Sequence, residues 1–193
     1  MTNPSSSFQA ILDAVETLIH EKGCRQMTMQ DIIQRTGLSK GAIYHYVTGK
    51  DELLGLVMKS RIEIANERFS QAVNHPQSYG LQKPLQSIAE GMIRATSYAN
   101  VTNKIFIYLL GQMDQPKVAE IVRDVYEFTL QTCSAWIEVG KKAGFIPAEA
   151  DSNKLADSLL TYMYGLRVQS TVMQQDSQVT VEELIRFMTR ALS

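Results

Sequence analysis

The sequence predicts an all-α protein: a three-helix helix-turn-helix unit, then a larger helical body, about nine helices in all. Three observations lead there. Apolar residues recur at spacings of three and four along almost the whole chain, strand-type alternation is missing, and Gly, Pro and Ser/Thr–acid pairs punctuate the periodic stretches. With 193 residues, 45% of them apolar, the chain can bury a sizeable core and suits one large or two small domains.

The elements follow in order. Phe8, Ile11, Leu12, Val15, Leu18 and Ile19 mark a first helix after a serine cluster, and Gly23 stops it. Thr28-Met29-Gln30-Asp31 reads as a capping box opening a short helix that ends at Gly37. Ser39 caps a third, very short helix reaching about Tyr46. Thr48-Gly49-Lys50-Asp51 opens a fourth, with Asp51 and Glu52 where the helix dipole favours anions. Leu53, Leu54, Val57, Met58, Ile62 and Phe69 carry it onward, to a break at His75-Pro76 through Gly80.

Leu81, Leu85, Ile88 and Met92 start a fifth helix. The compact run Ile105 to Leu110 lies in a sixth, which ends near Asp114-Gln115-Pro116. Val118, Ile121, Val125, Thr129, Cys133, Trp136 and Ile137 describe a long seventh, closed by Gly144. Leu155, Leu159, Met163, Leu166 and Ser170 mark the eighth, and Val181, Leu184, Ile185, Met188 and Leu192 the ninth. The expected division is a helix-turn-helix domain over residues 1–48 and a helical domain over 49–193.

Composition excludes several function classes. A net charge of −1 leaves no global basic field, so a histone-like binder is excluded while a local basic site is not. Two cysteines, Cys24 and Cys133, make no disulfide scaffold and read as reduced thiols in a cytoplasmic protein. Residues 1–7 lack the basic and apolar regions of a secretory signal, and no apolar run approaches the ~20 residues of a membrane span. His20 and Cys24 are four apart, but Gly23 intervenes and no third ligand is near, so a helix end is expected there and no metal. His75 reads as a solvated loop residue. No Ser-His-Asp set, convincing acid pair or dinucleotide fingerprint occurs, so neither an enzyme nor a cofactor is expected.

Residues 28–46 hold the sharpest signal. Two short helices flank the turn Gly37-Leu38-Ser39, and Gly37 can take the left-handed backbone that reverses the chain. Ile32, Leu38, Ile43 and Tyr46 fall on the side facing a shared core. Lys40, Gly41, Ala42, Tyr44 and His45 remain for the outside, as short or polar groups at a helix end that can enter a major groove. Between residues 25 and 50 the cations Arg25, Arg35, Lys40 and Lys50 face one anion, Asp31, whereas residues 1–60 balance at six against six. Concentrated positive charge at the turn is the footprint of a few gripped phosphates. A three-helix corner that only packs would share the spacing but has no need of the charge.

The run from Thr28 to Tyr46, with its Ser39-Lys40-Gly41-x-x-Tyr44-x-Tyr46 core, followed by Lys50-x-x-Leu53-Leu54, resembles the DNA-binding domain of TetR-family transcriptional regulators over about residues 8–58. The resemblance implies a homodimeric repressor on double-stranded DNA, with a divergent C-terminal domain that binds a small inducer. By this resemblance Thr28, Ser39, Tyr44 and Lys50 touch phosphates, and Lys40, Gly41, Ala42 and His45 face the groove or its rim. Ile33 and Thr36 stand where that family often has alanine, and Val47 where it often has Phe.

The second half reads less sharply. Tyr98, Phe106, Tyr108, Met113, Tyr126, Trp136, Tyr162, Met163 and Tyr164 form either an ordinary core or, as a group, the lining of a site for a mostly apolar effector. Arg94, Arg123 and Arg167 lie on otherwise apolar helices, as surface charges or facing an anionic ligand. Leu155, Leu159, Leu160, Met163, Leu166, Val168 and Val172 cover too wide an arc for one buried face. With Leu184 and Met188 of the last helix, and with Gly165 allowing close approach, they suggest a four-helix dimer interface. The competing explanation is a central helix buried within one chain. The combined expectation is a dimeric, ligand-responsive repressor, with recognition helices ~34–36 Å apart on a pseudo-palindromic operator. The rival is a small-molecule-binding helical bundle whose N-terminal corner is only structural.

Overall fold

The computed structural model describes residues 6–74 and 82–192. The break expected from His75 to Gly80, His75 itself and Leu81 lie outside the described residues. Among those described there are nine helices and no strand: α1 (Ser6–Gln26), α2 (Met29–Thr36), α3 (Lys40–Tyr44), α4 (Lys50–Asn74), α5 (Gln82–Thr96), α6 (Val101–Leu110), α7 (Pro116–Lys142), α8 (Ser152–Met173) and α9 (Val181–Leu192).

Local chemistry explains the first four. Gly23 kinks α1 rather than ending it: it adopts φ 75°, and one further turn carries the chain to Gln26. That turn places Cys24 and Met27 in the core, and burial pushes the Cys24 thiol up to about 11. At the start of α2, Thr28 Oγ1 accepts from the Asp31 amide at 3.2 Å, and Asp31 Oδ2 accepts from the Thr28 amide at 2.8 Å. This reciprocal box satisfies two otherwise orphaned amides. A hydrogen bond from Lys22, then those from Thr28, holds the Asp31 carboxyl down to about 2. Gly37 ends α2 at φ 67°, its amide donating to Ile33.

The third helix stops at Tyr44, short of the expected Tyr46. The chain tightens there, the Tyr46 amide reaching back only to Ile43, and this swings Val47 into the core. Thr48 then donates through both its amide and hydroxyl to Glu52 Oε2, each at 2.7 Å, which fixes the entry into α4.

Two apolar cores follow. The first joins Ile11, Val15 and Ile19 of α1, Ile32 and Ile43 of the turn unit, and Leu53, Leu54 and Val57 of α4 to Ile105 and Leu109 of α6 and Val118 and Val125 of α7. It therefore runs continuously across residue 48. The second gathers Ala89, Ile137, Ile146, Ala156, Leu159, Leu184 and Met188 from α5 and α7 to α9. Gly55 lets α4 lie close on α7: a Cβ there would meet Ile121 Cγ2 at 2.6 Å.

Helix α8 packs against α5, α6, α7 and α9. This uses up most of the apolar surplus that the sequence assigned to a partner. Leu159 of α8 is buried in the chain's own core together with Leu184 and Met188 of α9, which packs back on α5 and α8, and Leu166 is buried as well. Gly165 and Val172 stay outside, with Val168 and Met173 beside them.

Two predictions follow from this packing. Gly55→Ala gains ~1 kcal/mol of helix propensity but overpacks the α4–α7 contact, at a cost of about 1–3 kcal/mol. Thermal unfolding should show a net loss, and a raised Tm would mean that Ile121 relaxes freely. Because Asp31 is more acidic folded than its ordinary 3.8, its contribution is full above that value and lost as pH falls toward 2. Denaturant titrations between pH 5 and pH 2 should therefore show a smaller stability loss for Asp31→Asn than for the natural chain.

Candidate functional site

The turn unit presents a compact exposed tip. Ser39, Lys40, Gly41 and His45 are exposed, Ala42 is partly covered, and Tyr44 is 40% exposed. They stand outside because Ile43 alone of α3 is buried, anchoring the five-residue helix from beneath. Ser39 Oγ accepts from the Ala42 amide at 3.2 Å and so spends its acceptor on the cap. The Lys40 ammonium lies 5.5 Å from the centre of the Tyr44 ring. Tyr44 and Tyr46 separate as their spacing implied: Tyr46 is half-buried against Phe8, ring centres 5.1 Å apart, while Tyr44 points away.

The cations divide into used and unused. Arg35 pairs with Glu21 at 2.5 Å and Lys22 with Asp31 at 2.8 Å. The Lys50 ammonium donates to the carbonyls of Cys24 at 3.0 Å and Arg25 at 3.4 Å, and lies 5.1 Å from the Tyr108 ring centre. Of the eight residues expected to contact DNA, Lys50 is thus turned inward, where it caps the frayed end of α1 left by Gly23. The Thr28 hydroxyl is also engaged, donating to Asp31 at 2.8 Å. Lys40 and Arg25 keep side-chain charges with no protein acceptor among the described residues. An ammonium, a phenol, an imidazole and two small residues on one short projecting helix can meet phosphates and base edges together.

The three departures from the family's pattern are absorbed locally. Val47 is buried in the core, Ile33 packs partly buried against it, and the Thr36 hydroxyl donates to the Ile32 carbonyl at 2.8 Å.

A cavity of about 150 Å³ lies among α4, α5, α7 and α8. Its walls are mainly apolar, including Phe69, Leu85, Ile88, Trp136 and Met163, and Arg167 also lines it. Of the nine aromatic and methionine residues singled out in the sequence, the structure brings Trp136, Met163 and Tyr164 there. Trp136 Nε1 donates to Asn66 at 2.8 Å, and its ring lies 5.3 Å from Phe69. The other six go elsewhere for physical reasons. Phe106 is buried against Tyr164, ring centres 4.7 Å apart, and Tyr108 lies under Lys50. Tyr162 stacks on Phe187 of α9 at 4.2 Å. Tyr126 donates to Asp157, which raises its phenol to about 12. Tyr98 and Met113 are exposed. Phe106, Met113 and Tyr126 instead border a shallow apolar groove with Gly165 and Val168 of α8.

Met58, Ile62, Leu85 and Ile88 also line the cavity, and nothing in the sequence singles them out, since their periodicity is that of any core-facing helix. Arg167 was one of three arginines; only the structure separates it, buried, from the exposed Arg94 and Arg123. Among the described residues no cluster of His, Cys, Asp or Glu is placed to hold a metal, and no helix is long and apolar enough to cross a membrane.

Residues 11–57 match the family described as bacterial regulatory proteins, tetR family. The chain is 30% identical over 111 residues to the HTH-type transcriptional regulator BetI of Escherichia coli, covering 55% of each protein. It is 23% identical over 83 residues to YfiR of Bacillus subtilis, an uncharacterized HTH-type transcriptional regulator, covering 42% of this chain and 40% of that protein. The chain thus spans about half the length of these two curated relatives. The crystal structure of regulatory protein TetR from Rhodobacter sphaeroides superposes with a TM-score of 0.63 at 16% identity, covering 98% of this chain and all of that one. These relatives are regulators rather than enzymes. Through residues 11–57 the chain thus matches the tetR family of bacterial regulatory proteins, and over nearly its whole length its fold is similar to that of regulatory protein TetR.

Proposed function

We propose that this protein is a dimeric transcriptional repressor, released from its operator when a small, mostly apolar molecule fills the cavity. The observation that carries the reading is the exposed tip of α3, where Lys40, Tyr44 and His45 project from a helix held only by Ile43. Residues 1–48 serve DNA binding, and residues 49–193 serve effector binding and dimerisation. Two tips related by a twofold axis would enter successive major grooves about one DNA turn apart, ~34–36 Å. Ser39, Lys40 and Tyr44 meet phosphates, while Gly41, Ala42 and His45 approach the base edges. Thr28 flanks them, and Lys50 supports the tip from within. The protein acts in the cytoplasm, with its thiols reduced.

Helix α4 provides the coupling. Its first turns carry Leu53 and Leu54 in the core of the turn unit, and farther along Met58, Ile62 and Phe69 wall the cavity. A ligand that occupies the cavity better in one position of α4 than in another shifts the spacing of the two tips, with a coupling of typically 1–3 kcal/mol. For the dimer, Gly165, Val168 and Val172 offer the apolar face of α8 that the chain leaves uncovered.

Titration of the full chain against duplex fragments from its own locus, at several salt concentrations, tests the function. Salt-dependent binding supports a regulator; its absence at low ionic strength would favour the ligand-binding bundle. Lys40→Ala should weaken binding to all duplexes and flatten the salt slope by about one unit. Lys50→Ala should lower stability and leave that slope unchanged, and a flattened slope would return Lys50 to the phosphate contacts. Val172→Glu should give monomers in sedimentation, whereas an intact dimer would place the interface elsewhere.

A further inference from the structure

The cavity holds one group that an apolar ligand would leave unsatisfied. Arg167 is only 4% exposed, yet it has no carboxylate partner among the described residues. Its guanidinium donates one hydrogen bond, from Nη1 to the Thr102 carbonyl at 2.9 Å, and its centre lies 5.1 Å from the Phe106 ring. Its Nε is buried without any partner. Residues 75–81 could not supply a counter-ion side chain, since they contain no Asp or Glu. Burial lowers the guanidinium to about 10, so it remains a cation at neutral pH. A buried charge with one carbonyl and a ring face is far from satisfied, and a single chain has little reason to keep it there.

We infer that the ligand of this cavity is a compact organic acid, its carboxylate paired with Arg167 and its apolar body against Trp136, Phe69 and Met163. The inference rests on the cavity being the effector site. Three features set the class. A guanidinium matches a carboxylate in a two-pronged geometry that an ammonium does not. The remaining walls are dominated by aliphatic and aromatic side chains. The volume of about 150 Å³ is of the size that holds a single benzene ring, so one ring or a short alkyl chain fits and a large amphiphile does not.

The position of Arg167 also gives the anion a lever. Thr102 lies in the first turn of α6, and α6 packs on α1 through Ile105 and Leu109. A carboxylate that draws the guanidinium off the Thr102 carbonyl loosens the contact between α8 and the helix that supports the turn unit.

Trp136 is the single tryptophan and lines the same cavity, so its emission reports occupancy directly. The full chain is titrated with benzoate, phenylacetate and octanoate, and in parallel with the neutral amides of the same shapes. The acids should bind at least tenfold more tightly than their amides. Arg167→Gln should weaken the acids far more than the amides and so remove that preference, and Arg167→Lys should retain part of it. Amides binding as tightly as acids, or a preference that survives Arg167→Gln, would overturn the inference. So would a chain that binds neither series. Should Arg167→Gln fail to give the natural helical circular dichroism, the acid-to-amide ratio of the natural chain decides alone. Operator affinity measured in the same solutions separates the two readings. Acid preference without any change in DNA binding sinks the effector role but keeps the anion site. Amide-insensitive to charge yet active in releasing DNA sinks the anion inference alone.

Discussion

Leu53, Leu54, Val57 and Met58 occupy one stretch of α4, and all four are buried in the core that also closes over Ile32 and Ile43 of the helix-turn-helix. A unit as small as α1 to α3 cannot bury enough apolar surface by itself to hold the five-residue α3 in place. It borrows α4 for one wall and α6 for another. The tip of α3 therefore cannot be positioned independently of the helical body, and any displacement of α4 or α6 is felt at Ile43. Rigidity at the tip and sensitivity to events in the body have one physical source.

Electrostatics refine this frame without supporting it. The chain is nearly neutral, and most cations near the turn already have work inside the fold. Arg35 and Lys22 tie α2 to α1 through Glu21 and Asp31, and Lys50 caps the kinked end of α1. The free charge is left on Lys40 at the tip and on Arg25. Exposed pairs such as Arg35–Glu21 add little stability, typically less than ~1 kcal/mol. Their effect is rather to cancel charge everywhere except where a polyanion would approach.

The interior of the second half carries the opposite arrangement. Trp136, Phe69 and Met163 line an apolar space, while Arg167 stands in its wall with a charge that no carboxylate among the described residues neutralises. Nearby polar groups are occupied with one another: Asn103 donates to Ser170 and Thr171, and Ser170 donates to the Thr96 carbonyl. Arg167 is thus isolated within a cluster that is otherwise largely paired, at the point where α8 meets α6.

The amino-acid sequence alone specifies the helical class, the element order, the capping box at Thr28, the left-handed turn at Gly37 and the identity of the outward tip. Each of these depends on neighbours within a few residues, where backbone geometry and side-chain spacing act directly. It did not determine that Gly23 would kink α1 and leave Lys50 to cap the result, because that contact joins positions on two different helices. Nor did it determine which aromatic residues line the cavity, or that Leu159, Leu166, Leu184 and Met188 face inward. An apolar stripe on a helix says that something covers it, but whether the cover is α9 of the same chain or another molecule is decided only by how the helices pack.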